Sequence, residues 1–410
     1  MSNFLFLQGN ATPFFLELSR ALTLAGHHVQ QIAFNGGDWL FSPKPICFRG
    51  RTKNWLRFFD RIVKQNKPDA VILFGDCRPM HRSAINYLQE HGIDIWVFEE
   101  GYLRPGWITL EREGVNGFSL LPSNPDTIMA LAPKEHKHLH YNPRPDFKRR
   151  AIYDVTYHVA RMLLMPVFPF SRFHALVGPF REYAGWVQDW LFSHKKNGPR
   201  ILPTCNFMLL PMQMEGDYQL RMHSSFNGMA QVLETVLRSF ATSAPRDMAL
   251  VIRRHPLDPR LVNWNALITK YSIDLGIQDR VFYMYEGPLD DVLHSCSGII
   301  TVNSTVGLLA LRTGKPVKTL GHAIYDIPDL TFQGDLNQFW HQAHPPNTQI
   351  LDAFCRLLEH SVLIEGDFFT PVGRQLAVQG AVARITSEYQ TSSDVILSQQ
   401  DLSLSTVSSN

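Results

Sequence analysis

The sequence predicts an α/β fold made of two Rossmann-like domains. Three observations predict it. The 410 residues are too many for one ordinary core and suit two. Short apolar runs that end in polar, glycine-containing turns alternate with amphipathic segments through the first part of the chain. A second block of the same kind starts near Asn206, with no sequence repeat linking the two. Strand, polar turn, helix, strand is the signature of a parallel βαβ sheet. Ligands of such sheets sit beyond the carboxyl ends of the strands.

In order, Phe4–Leu7 reads as the first strand and is followed by the turn Gln8-Gly9-Asn10. A helix from about Pro13 to Ala25 stops at Gly26, and Val29–Phe34 is a second strand that ends at Asn35-Gly36-Gly37-Asp38. Ala70–Phe74 ends at Gly75-Asp76, a helix spans roughly Arg82–His91, and Asp94–Phe98 ends at Glu99-Glu100-Gly101. From about Pro133 to Arg200 basic and aromatic residues dominate, interrupted by Pro166 and Pro169, and predict a mostly helical connection. The second block offers strands at Phe207–Met212, Met248–Ile252, Val281–Tyr285, Ile299–Val302 and Pro316–Leu320. Its helices fall near Gly228–Ala241, Thr305–Arg312 and Leu351–His360, and the Ser-rich stretch from about Gln390 reads as a frayed tail. The expected boundaries are a first domain over 1–135, a connection over 136–200, a second domain over 201–345, C-terminal helices over 346–389 and a tail over 390–410.

Composition removes several function classes. Lys+Arg number 39 against Asp+Glu 37, which argues against a general nucleic-acid binder. Five scattered cysteines without a CxxC pair fit neither a disulfide framework nor a zinc site, and suit a reducing, cytoplasmic compartment. The N-terminus lacks a basic start and a long apolar core, so it reads as a strand rather than a signal peptide. No Asp-x-Asp occurs, and Gly9 and Gly36-Gly37 form no GxGxxG. Neither a metal–nucleotide clamp nor a dinucleotide redox cofactor is indicated.

Three places carry chemistry. Arg253-Arg254-His255-Pro256 closes a buried-looking strand, and Pro256 keeps His255 extended. Two guanidinium groups beside a histidine suit a phosphate. Asn303-Ser304-Thr305 joins an apolar strand to a helix whose first N–H groups and small hydroxyls would also suit a phosphate, although ordinary capping uses the same residues. Glu99-Glu100 are adjacent carboxylates at a strand end. Their mutual repulsion favours a raised pKa on one, which suits acid/base or nucleophilic work. Neighbours in an extended chain point to opposite sides, so one of the two is expected to face the ligand. Arg104 is near enough to meet a sugar or lipid anion. Gly9, Asn35, Gly36, Asp38, Asp76 and Arg78, at or just beyond the other strand ends, are expected to line the sugar and acceptor side.

At these residues the chain resembles the bacterial capsule polysaccharide synthesis family of β-Kdo transferases. The carriers are Phe34-Asn35-Gly36-Gly37-Asp38, Phe74-Gly75-Asp76-Cys77-Arg78-Pro79, Phe98-Glu99-Glu100-Gly101-Tyr102-Leu103-Arg104-Pro105, Gly114-Val115-Asn116, His255-Pro256, Asn303-Ser304-Thr305 and Ala323-Ile324-Tyr325-Asp326-Ile327. The resemblance implies a GT-B fold, two Rossmann-like domains facing a central cleft. It implies transfer of Kdo from CMP-Kdo, with retention, to a (lyso)phosphatidylglycerol acceptor at the inner face of the inner membrane, which starts a poly-Kdo linker. Other capsule biosynthesis or export proteins would be partners, and no metal is expected. Arg254, His255, Pro256, Asn303, Ser304 and Thr305 would hold the CMP, and Glu99 or Glu100 would supply the catalytic carboxylate. Relatives often place Asp where this chain has Glu100. The basic and aromatic residues Arg149, Arg150, Arg161, Arg172, Arg181, Lys195 and Lys196 would suit an anionic lipid surface, or equally a solvated face against another domain. A non-enzymatic export or scaffold component and a sugar-nucleotide epimerase are the rival readings.

Overall fold

The computed structural model describes residues 1–42, 44–143, 146–171, 202–258, 262–285 and 287–387. The chain forms two compact units. The first takes Met1–Glu113, His138–Ser171 and the described part of Val362–Asn410; the second takes Gly114–Lys137 and the described part of Arg172–Ser361.

The first unit is built on a seven-stranded sheet. Its strands are β1 (Asn3–Phe6), β2 (His28–Ala33), β3 (Ile46–Cys47), β4 (Ala70–Phe74), β5 (Asp94–Glu100), β6 (Trp107–Arg112) and β12 (Leu363–Glu365), in the order β12-β6-β5-β4-β1-β2-β3. The first five are parallel; β5 with β6 and β6 with β12 are antiparallel. The helix Phe14–Leu24 buries Phe14, Phe15, Leu18 and Leu22 on the sheet at helical spacing. Phe14 packs edge-on against Phe98 at 5.1 Å and Phe368 at 5.0 Å.

The second unit carries a five-stranded, all-parallel sheet. Its strands are β7 (Phe207–Pro211), β8 (Ala249–Arg253), β9 (Val281–Met284), β10 (Gly298–Thr301) and β11 (Val317–Thr319), in the order β11-β10-β7-β8-β9. The helix Met229–Ser243 packs Val232, Leu233, Val236 and Phe240 into a core with Met208, Leu210 and Trp340. In both sheets the first strand is central, with the next two on one side and the fourth and fifth on the other. The expected pair of Rossmann-type units is therefore present. In each, the strand order reverses between the first and fourth strands, the position at which open sheets of this kind bind their ligands.

The units part at different places from the expected boundaries. Residues 114–137 belong with the second unit, because the Asn116 side chain accepts a hydrogen bond from the Ile324 N–H at 3.0 Å. The helix Thr348–Ser361 also belongs there, whereas the chain from Val362 returns to the first unit. There β12 pairs with the open edge of β6, and Arg374 bonds Glu17 at 3.0 Å. From His138 to Ser171 the connection, including the helix Phe147–Leu163, belongs to the first unit and is no free linker. Arg172, Arg181, Lys195, Lys196 and the Ser-rich tail lie outside the described residues.

Candidate active site

In the first unit the residues after β1 and β4 meet at the position where the strand order reverses. Arg78 is held there by its Nη1, which donates to the Gln8 side-chain oxygen at 2.8 Å and to the Gly9 carbonyl at 3.2 Å. Its guanidinium lies 5.7 Å from the centre of the Phe74 ring. Gly9 is required by packing, since a Cβ would sit 2.8 Å from the Phe15 ring. Asp76 is wholly buried and accepts from the Cys77 thiol at 3.1 Å.

Glu99 and Glu100 are the last two residues of β5, so the strand runs through both acids instead of stopping at Phe98. Gly75 has a φ of +72°, and a Cβ there would lie 3.4 Å from Glu99 Oε2 and 3.9 Å from Arg78 Nε. The positive φ is what calls for glycine at this turn, which brings the chain past the carboxylate and the guanidinium. Glu99 keeps some accessible surface, but protein crowds its carboxyl, and this desolvation pushes its pKa up to about 7. The charges of Glu100 and Asp76 push the same way; the Glu100 N–H, donating to it at 3.0 Å, and Arg78 push back. Glu100, on the opposite side of the strand, is more open at 26% exposure and lies 3.9 Å from the Arg104 guanidinium. Arg104 Nε also donates to the Gly101 carbonyl at 3.0 Å.

Asn35, Gly36 and Asp38 come together too, with their polar groups engaged inside the first unit. The Asp38 carboxylate is 4% exposed and accepts from Gln8 Nε2 at 2.9 Å, the Phe34 N–H at 2.9 Å, Asn35 Nδ2 at 3.0 Å and the Tyr157 hydroxyl at 2.6 Å. Asn35 caps the short helix Gly36–Leu40 by accepting from the Gly37 N–H at 2.8 Å. A Cβ on Gly36 would lie 2.3 Å from the Ala160 carbonyl oxygen. This loop is the seat for the helix Phe147–Leu163.

In the second unit this position lies between β7 and β10. The Asn303 and Gln213 side chains clasp each other across it: Gln213 Nε2 donates to Asn303 Oδ1 at 2.9 Å, and the Asn303 N–H donates to Gln213 Oε1 at 3.3 Å. Asn303 Nδ2 donates to the Gln219 carbonyl at 2.9 Å. Asn303 is 6% exposed and therefore braces the turn more than it presents a donor. Ser304 is the N-cap of the helix Thr305–Arg312, its Oγ accepting from the Val306 N–H at 3.3 Å. The Tyr325 hydroxyl donates to the Ser304 carbonyl. A Cβ on Gly307 would fall 2.2 Å from that hydroxyl. Gly307→Ala is accordingly expected to lower stability by about 1–3 kcal/mol in urea unfolding, by pushing Tyr325 off the cap.

At the end of β8, Arg253 bonds the Gly287 carbonyl at 3.0 Å, and desolvation lowers its pKa. Arg254 is 7% exposed. His255 Nδ1 accepts the Leu257 N–H at 3.1 Å, so a neutral ring carries its proton on Nε2 and can donate from there. Pro256 is exposed and begins the turn, in which the Asp258 N–H returns to the His255 carbonyl at 3.1 Å. Sequence reading named Gln8 only as part of the turn after the first strand and missed Tyr157, Gln213 and Gln219, which stand outside every motif. Their only signal is a polar side chain buried beside a strand end or on the packed face of a helix.

Residues 69–369 match the family described as capsule polysaccharide biosynthesis protein, and the chain belongs to that family. The capsule polysaccharide export protein KpsS of Escherichia coli is 32% identical over 361 residues, covering 86% of this chain and 92% of the relative. The capsule polysaccharide modification protein LipB of Neisseria meningitidis is 31% identical over 389 residues, covering 90% and 92%. Among solved structures, KpsC of Thermosulfurimonas dismutans, a beta Kdo 2,7 transferase, aligns with 93% of this chain and 99% of its own at a TM-score of 0.45 and 12% identity, too loose a likeness to weigh here.

Proposed function

We propose that the chain is a retaining β-Kdo glycosyltransferase of GT-B type. It would move Kdo from CMP-Kdo to a (lyso)phosphatidylglycerol acceptor and so start the poly-Kdo linker of a capsular polysaccharide. The observation that carries the reading is the Glu99–Glu100 pair at the end of β5, one carboxyl titrating near neutrality and the other open beside Arg104. Membership of a capsule polysaccharide family and the relatives' names support the substrate class.

In this reading Glu100 attacks the anomeric carbon of Kdo, the bond from that carbon to the phosphate oxygen breaks, and CMP leaves as a phosphate monoester. Arg254, His255 Nε2–H and the helix start at Ser304 and Thr305 stabilise its charge, so no metal is called for. The acceptor oxygen then displaces Glu100, and its proton passes by way of water to Glu99, a shuttle rather than a direct contact because the two carboxyls leave the strand on opposite sides. Two inversions give retention. Arg78 and Arg104 are the cations placed to meet the acid groups of sugar or acceptor. Among the described residues no helix is long and apolar enough to cross a membrane, so a lipid acceptor would be met at a surface.

Mass spectrometry of a fluorescent phosphatidylglycerol analogue, incubated with the protein and a CMP-Kdo-generating system, tests this directly. One added Kdo is expected. In thermal shifts CMP should raise the melting temperature more than UDP does. A scaffold component would respond to neither, and an epimerase would prefer UDP.

A further inference from the structure

The helix Phe147–Leu163 has one face packed in the first unit and the opposite face bare. Tyr157 and Arg161 are 7% and 5% exposed, whereas Ile152, Val155, Val159, Met162 and Leu163 are 62%, 47%, 44%, 45% and 69% exposed. Helical spacing places these five in one stripe on the outer side, with exposed Lys148 at its N-terminal end. Met165 and Phe170, 54% and 45% exposed, extend the apolar surface beyond the helix. Apolar side chains contiguous on this scale mark an interaction surface.

The charge around the stripe indicates what covers it. Lys148, Arg149 and Arg150 occupy the first turn, which has no acidic residue. Cations there are disfavoured by the helix dipole, so the helix itself gives no reason for their presence. Asp146 caps the helix and meets Arg149 at 3.1 Å, and Arg150 lies 4.8 Å from the centre of the Phe369 ring. The one acid within the helix, Asp154, lies off the stripe and 3.7 Å from His158. An apolar face with a cationic end and no acid complements an anionic lipid surface better than a second copy of the same cationic face.

We propose that this face docks on an anionic phospholipid bilayer, the stripe entering the boundary between headgroups and acyl chains while Lys148, at its N-terminal end, meets lipid phosphates. The transferase reading supplies only the purpose of docking; binding itself needs no donor sugar and can be measured alone.

The test is co-sedimentation of the full chain with vesicles of phosphatidylcholine alone and of phosphatidylcholine with phosphatidylglycerol. Binding should favour the anionic vesicles and weaken with salt. Val155→Ser with Val159→Ser should reduce partition about tenfold, and Lys148→Glu should do so severalfold, with unchanged melting temperatures because all three residues are exposed. Absence of wild-type binding to anionic vesicles, or undiminished binding by these variants, overturns the proposal. So does finding that the variants only disrupt a concentration-dependent dimer, which would make the face a self-interface. Vesicle binding without Kdo transfer would sustain the docking surface and defeat the transferase reading, so the two fail separately.

Discussion

Glu100→Gln should lower Kdo transfer about ten-thousandfold or more while leaving CMP binding intact. The amide keeps the shape of the side chain but cannot act as a nucleophile at the anomeric carbon. Glu99→Gln should lose about a hundredfold to ten-thousandfold and, unlike Glu100→Gln, should change the pH profile. With its pKa raised to about 7, Glu99 holds a proton below that pH and becomes a base above it. Wild-type turnover therefore rises as pH passes through about 7, and Glu99→Gln removes this limb. The same shift has a stability consequence of opposite benefit. The folded chain retains a proton that the unfolded chain releases from about 4.5 upward, so this group's contribution to stability declines as pH rises from there to about 7. At pH 8, about 2 kcal/mol of stability should be regained in Glu99→Gln. Thermal melts across pH check the second effect independently of activity. Full turnover by Glu100→Gln would remove that residue from the nucleophile's role.

Asp38→Ala should cost about 3–5 kcal/mol, measured as a shift in the urea midpoint at constant slope. The substitution leaves four buried donors, from Gln8, Phe34, Asn35 and Tyr157, without their shared acceptor. Tyr157→Phe, which keeps the ring against Gly37 but removes a donor to Asp38 and an acceptor shared by the Gln8 and Asn35 amides, should cost about 1–3 kcal/mol. Gln8 also holds Arg78, and Arg78 faces Glu99, so Asp38→Ala should move the pH limb of activity in whatever fraction stays folded. A loss below about 1 kcal/mol in Asp38→Ala would mean that the carboxylate does not anchor the helix Phe147–Leu163.

Much of this architecture is legible in the chain. Ala70–Phe74 could be read to the residue because a fully buried parallel strand is a continuous apolar run, here stopped by Gly75. Thr305–Arg312 was equally plain from its Ser cap. The strand β6 was missed although Trp107–Arg112 is β-rich, because it follows Pro105-Gly106 and pairs antiparallel in a run of βαβ units. The strand β12 is too short to show periodicity and finds its partner β6 from the far end of the chain. That long-range pairing also brings the chain from Val362 back to the first unit, which no local signal announces. At the site, the carboxylate pair and the capped helix were visible, since strand ends and caps are local features. The loop Asn35-Gly36-Gly37-Asp38 is ambiguous in sequence for the converse reason. Polar and glycine residues fit a ligand or a tightly packed helix equally well, and nothing near them announces Tyr157.

The central proposal is that a carboxylate of the β5 pair bonds to the sugar as cytidylate departs. Intact-protein mass spectrometry after incubation with CMP-Kdo and no acceptor tests this most directly. The predicted result is one Kdo residue added, mapped by peptide analysis to Glu99-Glu100, absent in Glu100→Gln and discharged when acceptor is supplied. Rapid transfer to acceptor with no adduct on that peptide, or an adduct that persists in Glu100→Gln, would contradict it.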